Sequence, residues 1–266
     1  MWQGAGDHDH ALDVVPVAAI RYTSPRRAFQ HLTLDLQLST FMHICFLDID
    51  GTLILTGGAG QTAFARTLAE DFGIEEIDRT VAFAGRSDRA IAMDLFRSHG
   101  VEPTAENWLR FCAGYLPRLE QTLATHQGFV LPGVAELLAA LAARGDVAVG
   151  LLTGNVREGA RRKLGYYGLW EHFPFGGFGD EHTERCDIAA AALTSARLHL
   201  NGRHVPGQVL VIGDTVHDID CGRSIEARCV AVPTGHTTAE ALRASGPDVF
   251  VETLEDVAPI LALLDG

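Results

Sequence analysis

The chain has 266 residues, of which 47% are hydrophobic, and its formal net charge at pH 7 is −13. This length fits one hydrophobic core with a smaller accessory domain. The acidic balance, with no Lys/Arg run, excludes a nucleic-acid-binding surface, and no uncharged apolar stretch is long enough to span a membrane.

Five cysteines occur without CxxC spacing, which favours a reducing compartment over a disulfide framework or a zinc site. The N-terminus lacks a basic segment followed by an apolar one, so we expect no signal peptide and a cytoplasmic location. Residues 1–41 fit the pattern of the remaining chain poorly and are predicted to form a poorly ordered extension.

The first predicted strand of the body runs through His43 to Leu47 and ends in two acids, Asp48 and Asp50, followed by Gly51. An apolar run that breaks in this way is typical of a buried parallel strand ending in a turn. Ligands bind at the carboxyl ends of such strands. Two carboxylates one residue apart repel each other unless a cation lies between them, which predicts a hard metal, Mg²⁺.

Residues 57–128 show helical spacing, with Phe64, Leu68 and Phe72 on one face. The segment is predicted to be a helical insertion that lies over the strand ends as a lid.

A loop within this insertion precedes a predicted helix over Arg89–His99, which Ser87 or Asp88 would cap. Arg86 on the loop is a candidate to bind an anionic group of a substrate. A surface arginine beside an ordinary cap explains the same pattern.

After Pro132, strands and helices alternate, which predicts an α/β protein with a parallel sheet and helices on both faces. The predicted strands are Val147–Leu152, Phe173–Phe178, Val209–Ile212, Cys229–Val232 and Val249–Val251. The predicted helices are Val134–Arg144, Val156–Gly165, Cys186–Leu200, Ala239–Ala244 and Leu254–Leu264.

Three motifs follow predicted strands in order: Phe-Leu-Asp-Ile-Asp-Gly-Thr (46–52), Leu-Leu-Thr-Gly-Asn (151–155) and Gly-Asp-Thr-Val-His-Asp (213–218). Over residues 43–264 the chain resembles the haloacid dehalogenase-like hydrolases, and its helical insertion resembles their phosphoglycolate phosphatase-like group. The resemblance implies a Rossmann-like, three-layer α/β/α core (42–56 and 129–266) with an inserted all-helical cap domain (57–128).

The resemblance also implies the roles of the motif residues. Asp48 matches the nucleophile that forms an aspartyl phosphate, and Asp50 matches the general acid and base. Mg²⁺ would be held by Asp214, by Asp48 and by the backbone carbonyl of Asp50, with Asp218 joining directly or through water. An acid in the first turn of a helix, interacting with its dipole, is the other interpretation of Asp218.

The second motif matches the part of the family site that binds phosphate. The hydroxyl of Thr153 would bond a phosphate oxygen, and the amides of Gly154 and Asn155 open a helix and suit an anion. An N-cap alone also explains these three residues. Gly51 and Thr52 of the first motif are further candidates for substrate binding.

The family also uses a basic residue to balance the charges of the phosphate and the nucleophile, and two candidates fit. Lys163 follows Thr153 by ten residues, which places it roughly 12–15 Å along a helix axis, too far for easy reach. Arg185 begins the helix after the next strand and is therefore preferred.

The sequence thus predicts a Mg²⁺-dependent phosphatase that acts on a small phosphorylated metabolite as a monomer or homodimer. The alternatives are a phosphomutase on the same scaffold, a metal-independent dehalogenase, which Asp50 and the third motif oppose, and a non-catalytic binding protein.

Overall fold

The computed structural model describes residues 41–78, 80–201 and 205–265. The strands are β1 (Phe41–Leu47), β2 (Ile54–Leu55), β3 (Phe129–Val130), β4 (Val147–Leu152), β5 (Gly176–Gly177), β6 (Val205–Gly213), β7 (Arg228–Ala231) and β8 (Val249–Phe250). The helices are α1 (Ala59–Phe72), α2 (Asp88–Ser98), α3 (Ala105–Thr125), α4 (Val134–Arg144), α5 (Arg157–Tyr166), α6 (Arg185–His199), α7 (Val216–Ser224), α8 (Ala239–Ala244) and α9 (Ala258–Ala262). The predicted extension lies outside the described residues, except for Phe41.

The predicted parallel sheet is confirmed as six strands in the order β5-β4-β1-β6-β7-β8, with every neighbouring pair parallel. Strand β1 lies inside the sheet, where its last residue Leu47 is in register with Leu151 of β4 and Ile212 of β6. All three sequence motifs therefore leave the sheet at the same edge, side by side.

Alternate residues of β1 face opposite layers of helices, because successive side chains of a strand point to opposite faces. Cys45 and Leu47 belong to the buried cluster that includes residues of α4, α5 and α9. Ile44 and Phe46 belong to the cluster that includes residues of α6 and α7. The three-layer α/β/α prediction is confirmed, and the same alternation directs Asp48 toward α6 and α7.

The predicted helical cap is also confirmed, since α1, α2 and α3 follow one another between β2 and β3. These short strands pair antiparallel, with Ile54 opposite Val130. The three helices share a separate hydrophobic cluster rich in aromatic rings, in which the centroids of Phe64 and Phe111 lie 4.4 Å apart. The boundaries 57–128 stay a prediction.

Two predicted elements are shorter in the structure. The predicted strand 173–178 is reduced to Gly176–Gly177, where a Cβ on Gly177 would lie 2.3 Å from the carbonyl oxygen of Ile188 because α6 packs closely. The predicted helix 254–264 begins only at Ala258, since Pro259 lacks an N–H and fits only the first turn. Among the described residues, no helix has the length and apolar character needed to cross a membrane.

Candidate active site

The acids of the first motif lie at the carboxyl end of β1. Asp48 extends the strand ladder by donating its N–H to the carbonyl of Ile212 at 3.1 Å, and only 7% of the residue is exposed. The chain then turns at Gly51, whose φ is +89°. A Cβ at this glycine would lie 2.4 Å from Oδ2 of Asp214, so the missing side chain lets the ends of β1 and β6 approach each other.

Three buried carboxylates converge at this edge. Asp48, Asp214 and Asp218 each offer an oxygen, and these oxygens all lie within 4.8 Å of one another. The hydroxyl of Thr52 donates to Oδ1 of Asp214 at 3.3 Å, so the structure places this predicted substrate-binding side chain on a predicted metal ligand. Asp218 lies in the first turn of α7 and forms a capping box with Thr215. The position of Asp218 in the first turn of α7 fits its interpretation as a helix-dipole acid, and its role in metal binding stays a prediction.

The electrostatics of these acids fit a bound cation. Burial, followed by the charges of Asp218 and Asp50, raises the pKa of Asp48 against the opposing effect of Arg185. Burial also raises the pKa of Asp214, with Asp218 and Asp48 adding to the effect. A divalent cation would favour the ionised form of each group, and carboxylate oxygens are the ligands that Mg²⁺ prefers. The cluster thus fits a hard divalent metal.

Arg185 lies where sequence analysis placed it, as the first residue of α6 and at the edge of the acid cluster. Its buried guanidinium donates through Nη2 to Asp218, and Nη1 lies 3.6 Å from Oδ1 of Asp48. Burial alone would lower its pKa, but the Asp218 and Asp48 carboxylates outweigh burial and raise it. Arg185 is therefore a permanent positive charge beside the predicted nucleophile.

The argument that Lys163 lies too far away is wrong. Helix α5 begins at Arg157, so Lys163 lies only about 9 Å along its axis, and long side chains of a helix point back toward its N-terminus. Its Nζ lies 2.6 and 2.9 Å from the two carboxylate oxygens of Asp50 and donates to Oδ1 of Asn155 at 2.7 Å. The structure brings both predicted bases to the site, Lys163 to Asp50 and Arg185 to Asp48.

The second motif forms the loop between β4 and α5. The Asn155 amide nitrogen Nδ2 donates to Oδ2 of Asp50 at 2.8 Å and to Oγ1 of the buried Thr153 at 2.9 Å. Sequence analysis assigned only the backbone amide of Asn155 to the site and missed this bridge by its side chain. An asparagine side chain carries both donors and an acceptor, which allows it to bond Asp50 and Lys163 at once.

The cap reaches this loop through α2. Ser87 is the N-cap of α2, accepting from the N–H of Ala90 at 3.2 Å, so the first of the two predicted caps is confirmed. Asp88 turns away from its own helix, and its Oδ2 accepts from the N–H of Val156 at 2.9 Å. Its own N–H donates to the carbonyl of Gly154 at 2.8 Å.

Arg86 lies on the same cap loop and lines the cavity described below. Its Nη2 donates to Oδ2 of Asp94 at 2.6 Å, so its charge is already paired within the cap. The predicted substrate contact of Arg86 stays a prediction.

A cavity of about 690 Å³ lies between the cap and the carboxyl ends of the strands. Its core side is polar and includes Asp48, Asp50, Thr153, Asn155, Lys163, Arg185 and Asp214. Its cap side is largely apolar and includes Phe64, Phe83, Ile91 and Tyr115. Sequence analysis missed this apolar wall, because helical periodicity indicates that such residues are buried without indicating which of them border a cavity.

The chain is similar to known proteins. The model of the haloacid dehalogenase-like hydrolase family matches residues 45–223. Phosphoglycolate phosphatase of Shigella boydii is 25% identical over 234 residues, which cover 81% of this chain and 91% of the relative. That of Pectobacterium atrosepticum is 27% identical over 220 residues, which cover 80% and 90%.

The crystal structure of CbbY from Rhodobacter sphaeroides in complex with phosphate superposes with a TM-score of 0.64 at 20% identity, covering 84% of this chain and 99% of that chain. This likeness supports the fold, and the family model supports the motifs. Because that model matches well over half of the chain, the protein belongs to the haloacid dehalogenase-like hydrolase family.

Proposed function

We propose that this hydrolase is a Mg²⁺-dependent phosphatase that cleaves a small phosphate monoester through an aspartyl-phosphate intermediate. The observation that carries the proposal is the convergence of carboxylate oxygens of Asp48, Asp214 and Asp218 within 4.8 Å of one another, with Asp48, Asp50 and Asp214 lining the cavity under the cap. The curated relatives named above are phosphatases, which supports the same reaction class.

In the proposed reaction, a carboxylate oxygen of Asp48 attacks phosphorus while the bond from phosphorus to the ester oxygen breaks. The protonated Asp50 carboxyl donates its proton to the leaving oxygen and then removes one from water, which attacks the phosphorus of the acyl phosphate and restores Asp48. Lys163 and Asn155 donate hydrogen bonds to the two carboxylate oxygens of Asp50 at 2.6–2.9 Å, which orients the side chain for the step in which it removes a proton from water.

The metal ligands would be Asp48, Asp214 and the backbone carbonyl of Asp50, with Asp218 in direct or water-mediated contact. A bound Mg²⁺ would offset the repulsion between the nucleophile and the phosphate and would stabilise charge in the transition state. Arg185 adds a fixed positive charge on the α6 side of Asp48. The Thr153 hydroxyl and the amides of Gly154 and Asn155 would bind phosphate oxygens.

The proposed substrate is a small phosphorylated metabolite whose leaving group extends toward the apolar cap side of the cavity. Phe64, Phe83 and Tyr115 give this wall an aromatic surface, and Arg86 on its edge is paired with Asp94. Phosphoglycolate, the compound in the names of two relatives, is one substrate to assay. Phosphate monoesters with larger, uncharged leaving groups should be assayed beside it.

A direct test is to assay the purified chain with p-nitrophenyl phosphate and a panel of phosphorylated metabolites. Hydrolysis should require Mg²⁺, stop with EDTA and return on adding Mg²⁺ in excess. Release of inorganic phosphate supports a phosphatase, whereas conversion of a sugar phosphate to its isomer without phosphate release would favour the phosphomutase alternative. Turnover that is unaffected by EDTA would contradict the proposal.

A further inference from the structure

The start of helix α5 depends on acceptors from other parts of the chain. Its N-cap residue, Val156, has no side-chain acceptor, although the first N–H groups of any helix need partners outside the helix. Two carboxylates supply them. Oδ2 of Asp88 accepts from Val156 at 2.9 Å, and Oδ2 of Asp180 accepts from the N–H of Arg157 at 2.8 Å.

These two acids come from different parts of the molecule. Asp180 follows β5 of the core, whereas Asp88 is the first residue of cap helix α2. The contact of Asp88 is reciprocal, since its own N–H donates to the Gly154 carbonyl at 2.8 Å. Two hydrogen bonds from one cap residue therefore hold the loop that carries Thr153 and Asn155.

The backbones at this contact are close enough to require a glycine. A Cβ on Gly154 would lie 2.2 Å from the carbonyl oxygen of Arg86. Because that oxygen belongs to the backbone, it cannot move aside as a flexible side chain could. The loop of the second motif is thus built to receive the cap segment Arg86–Asp88, and Asp88 completes that contact with a carboxylate.

A role of Asp88 for its own helix does not explain this geometry. A first-turn acid stabilises the helix dipole, but α2 is already capped by Ser87, and the Asp88 carboxylate bonds another helix instead. Only 9% of Asp88 is exposed. Burial raises its pKa to about 6, with Lys163 and the Val156 hydrogen bond opposing the rise.

We propose that Asp88 is a positioning residue through which the cap orients the phosphate-binding loop 153–156. The cap would then contribute to the reaction at phosphorus as well as to the wall around the leaving group. The catalytic consequence rests on the function proposed above, whereas the effect on the loop does not.

The kinetic test compares three variants with p-nitrophenyl phosphate and Mg²⁺. Asp88→Ala should lower kcat about tenfold or more with KM changed less than about threefold, because small displacements of positioning groups mainly weaken transition-state contacts. Asp88→Asn keeps an oxygen that accepts from Val156 and should stay within about threefold of wild type. Arg97→Ala is the matched control, because it removes a charged side chain of the same helix whose 2.7 Å bond goes to Asp94 within the cap, and it touches neither Asp88 nor Asp180.

Hydrogen exchange of the substrate-free protein gives a readout independent of activity. Asp88→Ala should accelerate exchange in peptides that cover residues 153–158, and Arg97→Ala should not. The proposal is overturned if both variants behave alike, or if exchange at 153–158 stays at the wild-type rate. A wild-type protein that hydrolyses no phosphate ester would reject the proposed function, and the exchange comparison would still decide the role of Asp88.

Discussion

The two halves of the cavity are built by different means. On the core side, Asp48 and Asp214 follow adjacent parallel strands. Hydrogen bonds fix the side chains around them, since Thr52 donates to Asp214 and Arg185 donates to Asp218. On the cap side, aromatic side chains project from helical faces, and the charged Arg86 is paired inside the cap.

Under the proposed function, this difference would separate the chemistry from the choice of substrate. Strand geometry and register fix the core side, so the proposed reacting groups would keep their places whatever the leaving group is. Helix packing shapes the cap side, where one changed side chain alters the wall without moving the acids. Asp88 is the exception, a cap residue bonded to the phosphate loop of the core.

Replacing an aspartate by asparagine, once on the core side and once on the cap side, should give the largest difference in kcat. Asp48→Asn should lower kcat for p-nitrophenyl phosphate by about 10³-fold or more, because an amide does not replace a nucleophilic carboxylate. Asp94→Asn on the cap side should change kcat by less than about threefold. Thermal unfolding is the control, and Asp48→Asn should not lower Tm, since burial already raises the pKa of Asp48 and disfavours its charge. Equal kcat values for the two variants would refute the assignment of the chemistry to the core side of the cavity.

Metal binding should alter the stability of the core side as a function of pH. In the folded chain, burial holds the pKa values of Asp48 and Asp214 above 3.8, the ordinary value of an aspartate. With EDTA present, the folded state therefore holds more protons than the unfolded state above that value. The free energy of unfolding that these groups contribute thus falls as the pH rises toward neutrality. Mg²⁺ requires the ionised carboxylates, so its affinity should rise over the same pH range.

Saturating Mg²⁺ should raise Tm by about 5 °C at pH 8 and by clearly less at pH 5. Asp214→Asn should abolish most of this rise and should gain stability relative to wild type in EDTA as the pH increases. A Mg²⁺ effect that is independent of pH, or one that survives in Asp214→Asn, would count against the acid cluster as the metal site.

The core side was largely predictable because its residues follow local patterns. An apolar run that ends in Asp48 and Asp50 identifies a strand and its edge, and parallel pairing then brings the ends of β1, β4 and β6 together. The termini of short elements were not predictable to the same degree. Pro259 delays α9 by a local effect that the helix prediction did not take into account, whereas the close approach of α6 to the two glycines of β5 depends on tertiary contacts.

The contacts of Lys163 and Asp88 could not be predicted from spacing alone. Lys163 was placed too far away because the helix was counted from Thr153, whereas the loop 153–156 changes the direction of the chain before α5 begins. The Asp88 carboxylate was considered only as one of two possible caps of its own helix, because sequence proximity favours that role over a bond to a partner 68 residues away. In both cases the side chain bonds a residue far away in the sequence, Asp50 for Lys163 and Val156 for Asp88.

The two basic residues of the core should differ in how they respond to metal. Lys163→Met and Arg185→Met should each lower kcat about tenfold to a hundredfold, as expected for losing a charged hydrogen bond of about 1.5–3 kcal/mol. Arg185 lies against the acid cluster, so its removal should also lower the Mg²⁺ concentration for half-maximal activity. Lys163 bonds Asp50 and Asn155, and its loss should leave that concentration nearly unchanged. If instead the Lys163 variant changed the Mg²⁺ requirement and the Arg185 variant did not, Lys163 would be the base that acts at the acid cluster.

The smallest effect is expected at Arg86, where the cap meets the cavity. Its guanidinium is 2.6 Å from Asp94, and Asp94 also pairs with Arg97 at 2.7 Å. Arg86→Ala should therefore change kcat/KM for p-nitrophenyl phosphate by less than about threefold. Asp94→Ala would release the guanidinium toward the cavity, and KM for phosphoglycolate, which carries a second anionic group, should fall relative to KM for the aryl ester. If Arg86→Ala alone raises KM for phosphoglycolate tenfold, the arginine already binds substrate in the wild type, and part of the recognition of anions belongs to the cap.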